Sequence, residues 1–170
     1  MVFRNGATQE VGDVRGDIRI IDMTTAHERF PEVRDFIYEI LYAPFGIDYN
    51  GIWNAIEDGA LFKGALDRED RIVGCARLVP TREDGAAVVR TVATSAKYRG
   101  LGLGRRLMHE IEREAHARGA THMWLNARVP ALGFYENLGY RSTSDEFVNP
   151  PSGLLHRTMV KDLPPQALSA

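Results

Sequence analysis

Tyr98-Arg99-Gly100-Leu101-Gly102-Leu103-Gly104-Arg105-Arg106 joins two stretches of opposite periodicity. Before it, residues 87–94 are an apolar run rich in β-branched side chains, which reads as a strand. After it, Leu103, Leu107, Ile111 and Ala115 recur every four residues with Arg and Glu on the other face, and Gly119 supplies a stop. Residues 121–126 then read as a second strand. A strand, a crossover helix and a strand make a parallel pair, so the glycine loop lies at the start of a crossover helix.

Three glycines there let the backbone take positive φ and approach a ligand closely. A helix start exposes unpaired N–H groups backed by the helix dipole, and Arg99, Arg105 and Arg106 add charge at the same point. The combination reads as a phosphate or pyrophosphate cradle. The glycines alone read equally well as a flexible joint. Two familiar phosphate loops fail on spacing. A P-loop needs Gly-Lys-Ser/Thr where Gly104-Arg105-Arg106 stands, and a dinucleotide fingerprint needs G-x-G-x-x-G where Gly100, Gly102 and Gly104 run as G-x-G-x-G.

Working outward, residues 17–23 read as a first strand. Phe30, Val33, Ile37, Ile40 and Leu41 share a helical face, with Pro31 suited to the first turn and Pro44 and Gly46 beyond the end. That helix is expected at about 31–42, with Thr25 to Glu28 offering a capping box before it. A short helix over 51–57 would follow. Runs at 61–66, 72–79 and 87–94, separated by charged turns, read as an antiparallel meander. A short helix at 131–138 and a hairpin pairing 142–148 with 154–160 close the chain. The expected fold class is α/β, a mixed and mostly antiparallel sheet flanked by helices. Residues 1–16 are expected as a flexible arm, 17–163 as one domain and 164–170 as a fraying tail.

Composition narrows the function. The chain has 170 residues, 44% of them hydrophobic, enough for one domain with a real core. With 21 Lys+Arg against 23 Asp+Glu there is no basic excess to neutralise a nucleic-acid backbone. No apolar run approaches the ~20 residues of a membrane span. The single cysteine, Cys75, excludes an internal disulfide framework and a cysteine zinc site. The expectation is a soluble, cytoplasmic protein that holds no metal and engages neither nucleic acid nor membrane.

The spacing that the loop does satisfy is Arg-x-x-Gly-x-Gly, met by Arg99, Gly102 and Gly104. Here the sequence resembles the GNAT family, the GCN5-related N-acetyltransferases. Val92-Ala93-Thr94 stands where that family usually shows Leu-Ala-Val, and Phe134-Tyr135-Glu136-Asn137-Leu138-Gly139-Tyr140 is similar to its F/L-Y-E-x-x-G-F/Y. Element order across residues 17–161 also agrees. The closing segment, 145–159, is similar to the ElaA-like bacterial branch.

The resemblance implies an acyl-CoA fold in which the strands at 87–94 and 121–126 splay apart. It implies that acetyl-CoA is the acyl donor, its pyrophosphate on the amides of Arg99, Gly100, Leu101, Gly102, Leu103, Gly104 and Arg105. Val92, Ala93 and Thr94 would lie along the pantetheine arm, with Asn126 and Tyr135 completing the contacts. Tyr135 takes the place of the family's general acid, which protonates the departing thiolate. Ala96 replaces a frequent proline, and Arg128 stands where many members have Asn or Gln. The implied reaction is acetylation of a primary amine, of a small molecule or a protein, by direct attack in a ternary complex. A domain that binds acyl-CoA without catalysis is the alternative. A monomer and a homodimer are both compatible with the sequence.

An amine must be neutral to attack, so a base belongs near the thioester. Glu146 and His156, on the two strands of the closing hairpin, are the candidates, with His122 and Glu57 behind them. Arg77 and Arg90 lie within meander strands and would either attract an acidic acceptor or sit solvated on the outer face. Phe45, Tyr49 and Trp53 read either as a pocket wall or as core. His109 and His116, seven apart on one helix face, read as a solvated face rather than as metal ligands.

Overall fold

Where the apolar period changes along the chain, strand gives way to helix. The computed structural model describes residues 17–48, 59–79, 81–150 and 152–165. In chain order these form β1 (Arg19–Met23), α1 (Phe30–Leu41), β2 (Leu61–Leu66), β3 (Ile72–Val79) and β4 (Ala86–Thr94). They continue with α2 (Leu103–Ala117), β5 (His122–Arg128), α3 (Leu132–Glu136), β6 (Arg141–Ser142), β7 (Phe147–Asn149) and β8 (Leu154–Asp162). The expected arm at 1–16, the helix over 51–57 and the last five residues lie outside the described residues.

One sheet runs β1-β2-β3-β4-β5-β8-β6, with β7 also on β8. Every pairing is antiparallel except β4 with β5, the pair bridged by the crossover helix α2. Helices cover both faces. On one, Leu103, Leu107, Met108, Ile111 and Ala115 of α2 bury against Ala65, Val73, Ala87, Val89, Met123 and Leu125. On the other, Val33 and Ile37 of α1 pack on Met23, Phe62, Cys75 and Ala93. Each fully buried aliphatic side chain contributes roughly 1.5–3 kcal/mol, so these two layers hold the sheet between them.

Helix ends follow sequence chemistry closely. Pro31 occupies the first turn of α1, as expected, but the capping box at Thr25 does not form: Arg29 at the N-cap position has no side-chain cap. Instead the Arg29 N–H donates to His27 Nδ1 at 3.1 Å. At the far end of α2, Gly119 (φ +87°) donates to the His116 carbonyl and Ala120 to that of Ala115, a Schellman stop.

β4 and β5 pair only from Ala86↔His122 to Val88↔Trp124. Beyond that, Thr91 adopts φ +56°, and the register with β3 jumps so that Cys75 opposes Ala93 while Arg77 opposes Arg90. Two residues, Thr91 and Val92, thus stand against Ala76 alone. Such a bulge bends its strand and strengthens its twist. β4 veers from β5, which continues against β8 as far as Arg128↔His156. The expected splay is present, and the bulge is its cause.

The closing hairpin departs from expectation. Its first strand is broken into β6 and β7, both pairing with β8. Between them the Ser144 hydroxyl accepts the Thr158 N–H at 2.9 Å, in place of a ladder carbonyl. Glu146 therefore lies in the break and not on a strand. Lys63, 4% exposed, is held by Asp22 at 2.6 Å and Glu114 at 3.4 Å, which ties β1 and β2 to α2.

Candidate active site

The glycine loop leaves a 3-10 turn at Ala96–Tyr98 and enters α2 through Gly102, which has φ +83° and no side-chain cap. The first bond of the helix runs from the Arg106 N–H to the Gly102 carbonyl at 3.0 Å. The N–H groups of Leu103, Gly104 and Arg105 consequently have no carbonyl within the helix to meet. Gly100 (φ +74°) and Gly102 are needed for conformation, since a Cβ on either would meet nothing within 4 Å. Gly104 is needed for room, because its Cβ would stand 3.1 Å from Phe134 Cζ.

These groups open onto a cleft of about 380 Å³ between the bent end of β4, the loop, α2 and α3. Val92, Thr94, Arg99, Gly100, Gly102, Leu103, Gly104, Arg105 and Tyr135, all among the candidate cofactor-binding residues, line it. Three further candidates lie off it. Ala93 is buried beneath α1, Leu101 is 40% exposed on a smaller neighbouring cleft, and Asn126 faces the α1 side, its Oδ1 accepting from Thr158 Oγ1 at 2.9 Å. Tyr98, Ala131, Phe134 and Asn137 line the cleft as well. Phe134 and Asn137 were within the quoted motif, but nothing in the sequence says which of its side chains turn to the cleft.

Tyr135 is nearly enclosed at the cleft wall, its ring edge-on to Phe134 (centroids 4.9 Å apart) and to Tyr140 (5.9 Å). Tyr140 is pinned in turn. Its hydroxyl donates to Glu112 Oε1 at 3.2 Å, and Lys161 donates to the other Glu112 oxygen at 2.7 Å. Burial drives the Tyr135 phenol well above its ordinary pKa, with Arg128 pulling weakly the other way. A phenol so placed keeps its proton at neutral pH.

Comparison with known proteins agrees with this geometry. The sequence profile of the acetyltransferase (GNAT) family matches residues 27–140, two thirds of the chain. This chain belongs to the GNAT acetyltransferase family. A Bacillus subtilis protein named as an acetyltransferase is 31% identical over 118 residues, 62% of this chain and 79% of its own length. A Lactobacillus plantarum structure described as an N-acetyltransferase is 26% identical with a TM-score of 0.74, covering 86% of this chain and 99% of that one. Escherichia coli ElaA shares the fold at a TM-score of 0.72 and 16% identity, over 85% and 99% of the two chains. An aminoglycoside 6'-N-acetyltransferase complexed with coenzyme A does so at 0.69 and 16%, over 88% and 99%.

On the opposite face of this GNAT sheet, the other candidates take distinct positions. Arg128 has turned toward α1: its Nη2 donates to the Leu41 carbonyl at 2.5 Å and its guanidinium lies 4.5 Å from the Phe45 ring centroid. A cation on the last carbonyls of a helix opposes the dipole there. Arg77 lies over the Phe62 ring and Arg90 over Trp124, at 6.0 and 5.9 Å. His156 is buried on β8, whereas Glu146 is exposed and 3.5 Å from Arg157. His122 contacts Thr121 Oγ1 at the start of β5. Glu57, Tyr49 and Trp53 lie outside the described residues. Among the described residues no group of three His, Cys, Asp or Glu side chains is placed to hold a metal.

Burial pushes the Cys75 thiol up to about 12. Thiolate is the reactive form, so this cysteine is inert as a nucleophile. Ellman's reagent is expected to titrate essentially no thiol in the native protein and one per chain in guanidinium. A full equivalent in the native state would show that Cys75 is exposed.

Proposed function

We propose that this chain is an acetyl-CoA-dependent N-acetyltransferase, which moves an acetyl group to a primary amine of a small molecule or a protein. Transfer is direct, within a ternary complex. The observation that carries the reading is the continuity of one cleft. It runs from the uncapped start of α2, suited to a pyrophosphate, along the bent end of β4 to the largely buried Tyr135. The solved fold relative that holds coenzyme A gives the same reading independent support.

Each part of the chain then has a task. Amides of the loop and the first turn of α2 take the pyrophosphate, with Arg99 and Arg105 beside them. Beyond Val88, β4 has lost its β5 partner, so one edge of that strand is available to pair with the amide-bearing pantetheine arm, as an added strand would. Backbone N–H near Thr94 polarises the thioester carbonyl, and Tyr135 protonates the thiolate as the C–S bond breaks. The absence of a reactive cysteine favours direct attack over a cysteinyl intermediate. A lone reduced thiol also suits a cytoplasmic enzyme.

Thiol release from acetyl-CoA over a panel of small primary amines and lysine- or N-terminus-bearing peptides tests the proposal. Turnover that needs both substrates, with intersecting double-reciprocal lines, is the expected result. Parallel lines would contradict direct transfer, and tight CoA binding without turnover on any amine would make the domain an acyl-CoA sensor.

A further inference from the structure

His156 lies on β8, next to β5 on the side away from β4, and its side chain is on the α1 face of the sheet. Along β8, Met159 belongs to the α2-side core and Lys161 reaches Glu112 of α2. Alternation puts His156 and Thr158 on the opposite face, where Thr158 bonds Asn126. In register, His156 stands directly across from Arg128, the last residue of β5, whose own side chain reaches to the end of α1. An arm threaded between β4 and β5 from the α2 side would present its thioester to this α1-side face. An amine reaching the thioester would come from there.

The ring itself is preset. His156 Nδ1 lies 2.8 Å from the Leu154 carbonyl of its own strand. A carbonyl oxygen only accepts, so Nδ1 carries the hydrogen and the neutral ring keeps its lone pair on Nε2. Among the described residues Nε2 has no hydrogen-bond partner, while Phe147 walls one side of the ring at 6.3 Å between centroids. Glu146 differs on each count, being exposed, off the strands and paired with Arg157.

We propose that His156 is the base of the transfer, its Nε2 taking the proton of the acceptor's ammonium group. This rests on the acetyltransferase reading above and names a residue for the step it leaves open. The ammonium loses one proton to Nε2, and the neutral nitrogen attacks the thioester carbonyl. As the tetrahedral adduct collapses, the N–C bond stays, the C–S bond breaks and the thiolate takes the Tyr135 proton. The nitrogen's second excess proton restores the Tyr135 phenol through solvent. Imidazolium returns its proton to solvent, so the cycle releases one proton and regenerates both side chains.

The test uses His156→Asn, whose amide nitrogen can keep the bond to the Leu154 carbonyl but offers no comparable base. Two acceptors of equal length are compared at neutral pH, an alkylamine that turns over in the wild type and the corresponding O-alkylhydroxylamine, whose amino group is already almost wholly neutral. The expected loss of kcat is about 10²–10⁴-fold on the alkylamine and within about tenfold on the O-alkylhydroxylamine, with acetyl-CoA affinity unchanged. Equal losses on both acceptors, or no loss, would overturn the assignment while leaving the acetyltransferase reading intact. A wild type that turns over no amine would remove that reading, and this assignment with it. Nitrogen-15 NMR of the wild-type ring supplies a readout that does not depend on turnover. A protonated Nδ1 with an unprotonated Nε2 supports the assignment, and the reverse tautomer contradicts it.

Discussion

Tyr135→Phe is expected to lower kcat by about 10²–10⁴-fold while leaving the acetyl-CoA dissociation constant near that of the parent. The substitution removes one oxygen and keeps the ring that packs edge-on against Phe134 and Tyr140. The hydroxyl has no hydrogen-bond partner among the described residues, and on that basis thermal stability should hold or rise slightly. What disappears is a proton held in place at the cleft wall by a raised pKa. Without it the thiolate must leave unprotonated or draw on water. Steady-state kinetics and calorimetric titration of the same preparation check both halves. An unchanged kcat would take Tyr135 out of the mechanism, and a fall in affinity equal to the fall in kcat would make it a binding residue only.

The second large effect separates the two kinds of glycine in the loop. Gly104→Val places a branched side chain where even a Cβ would stand 3.1 Å from Phe134 Cζ and 3.8 Å from Thr94 Cγ2. Phe134 must then swing or the cleft must fill. An overpacking cost of about 1–3 kcal/mol falls on the bound state, so acetyl-CoA affinity should drop about 10–100-fold. Gly102→Ala behaves differently. Its Cβ meets open space, but φ +83° is unfavourable for alanine by about 1–2 kcal/mol, which lowers Tm by about 2–8 °C. Calorimetric titration and thermal melts of the two variants should therefore diverge, one chiefly in affinity and the other chiefly in stability. Equal affinity in Gly104→Val and wild type would show that the cleft beside Phe134 does not hold the ligand.

Much of the fold is legible in the sequence, and for identifiable reasons. The 3.6-residue period of Leu103, Leu107, Ile111 and Ala115, and the period-two run of β5, are local signals that tertiary packing had no cause to override. Gly102, Gly119 and Gly139 mark positive-φ positions that few other residues adopt. What escaped was set by contacts between elements distant in sequence. The Thr91 bulge is a threonine in a left-handed conformation, and threonine carries no sequence sign of it. Arg128 reads as a departure from the family's pattern, yet it bonds the Leu41 carbonyl, 87 residues away. Buried Lys63 depends on Asp22 and Glu114, each far along the chain. The hairpin break at 143–146 arises because a serine hydroxyl competes for a ladder N–H, which strand periodicity does not register.

Every step proposed above requires acetyl-CoA to bind in the cleft between β4 and the start of α2. A thermal-shift titration with acetyl-CoA, beside NAD and ATP, reads that binding. At about 100 times its dissociation constant, a ligand of the native state adds roughly 2.7 kcal/mol, which for a domain this size raises Tm by about 5–10 °C. A rise of that size with acetyl-CoA, and none with NAD or ATP, is the predicted result. No rise at millimolar acetyl-CoA would contradict the account, because the loop from Arg99 to Gly104 would then not be an acyl-CoA site.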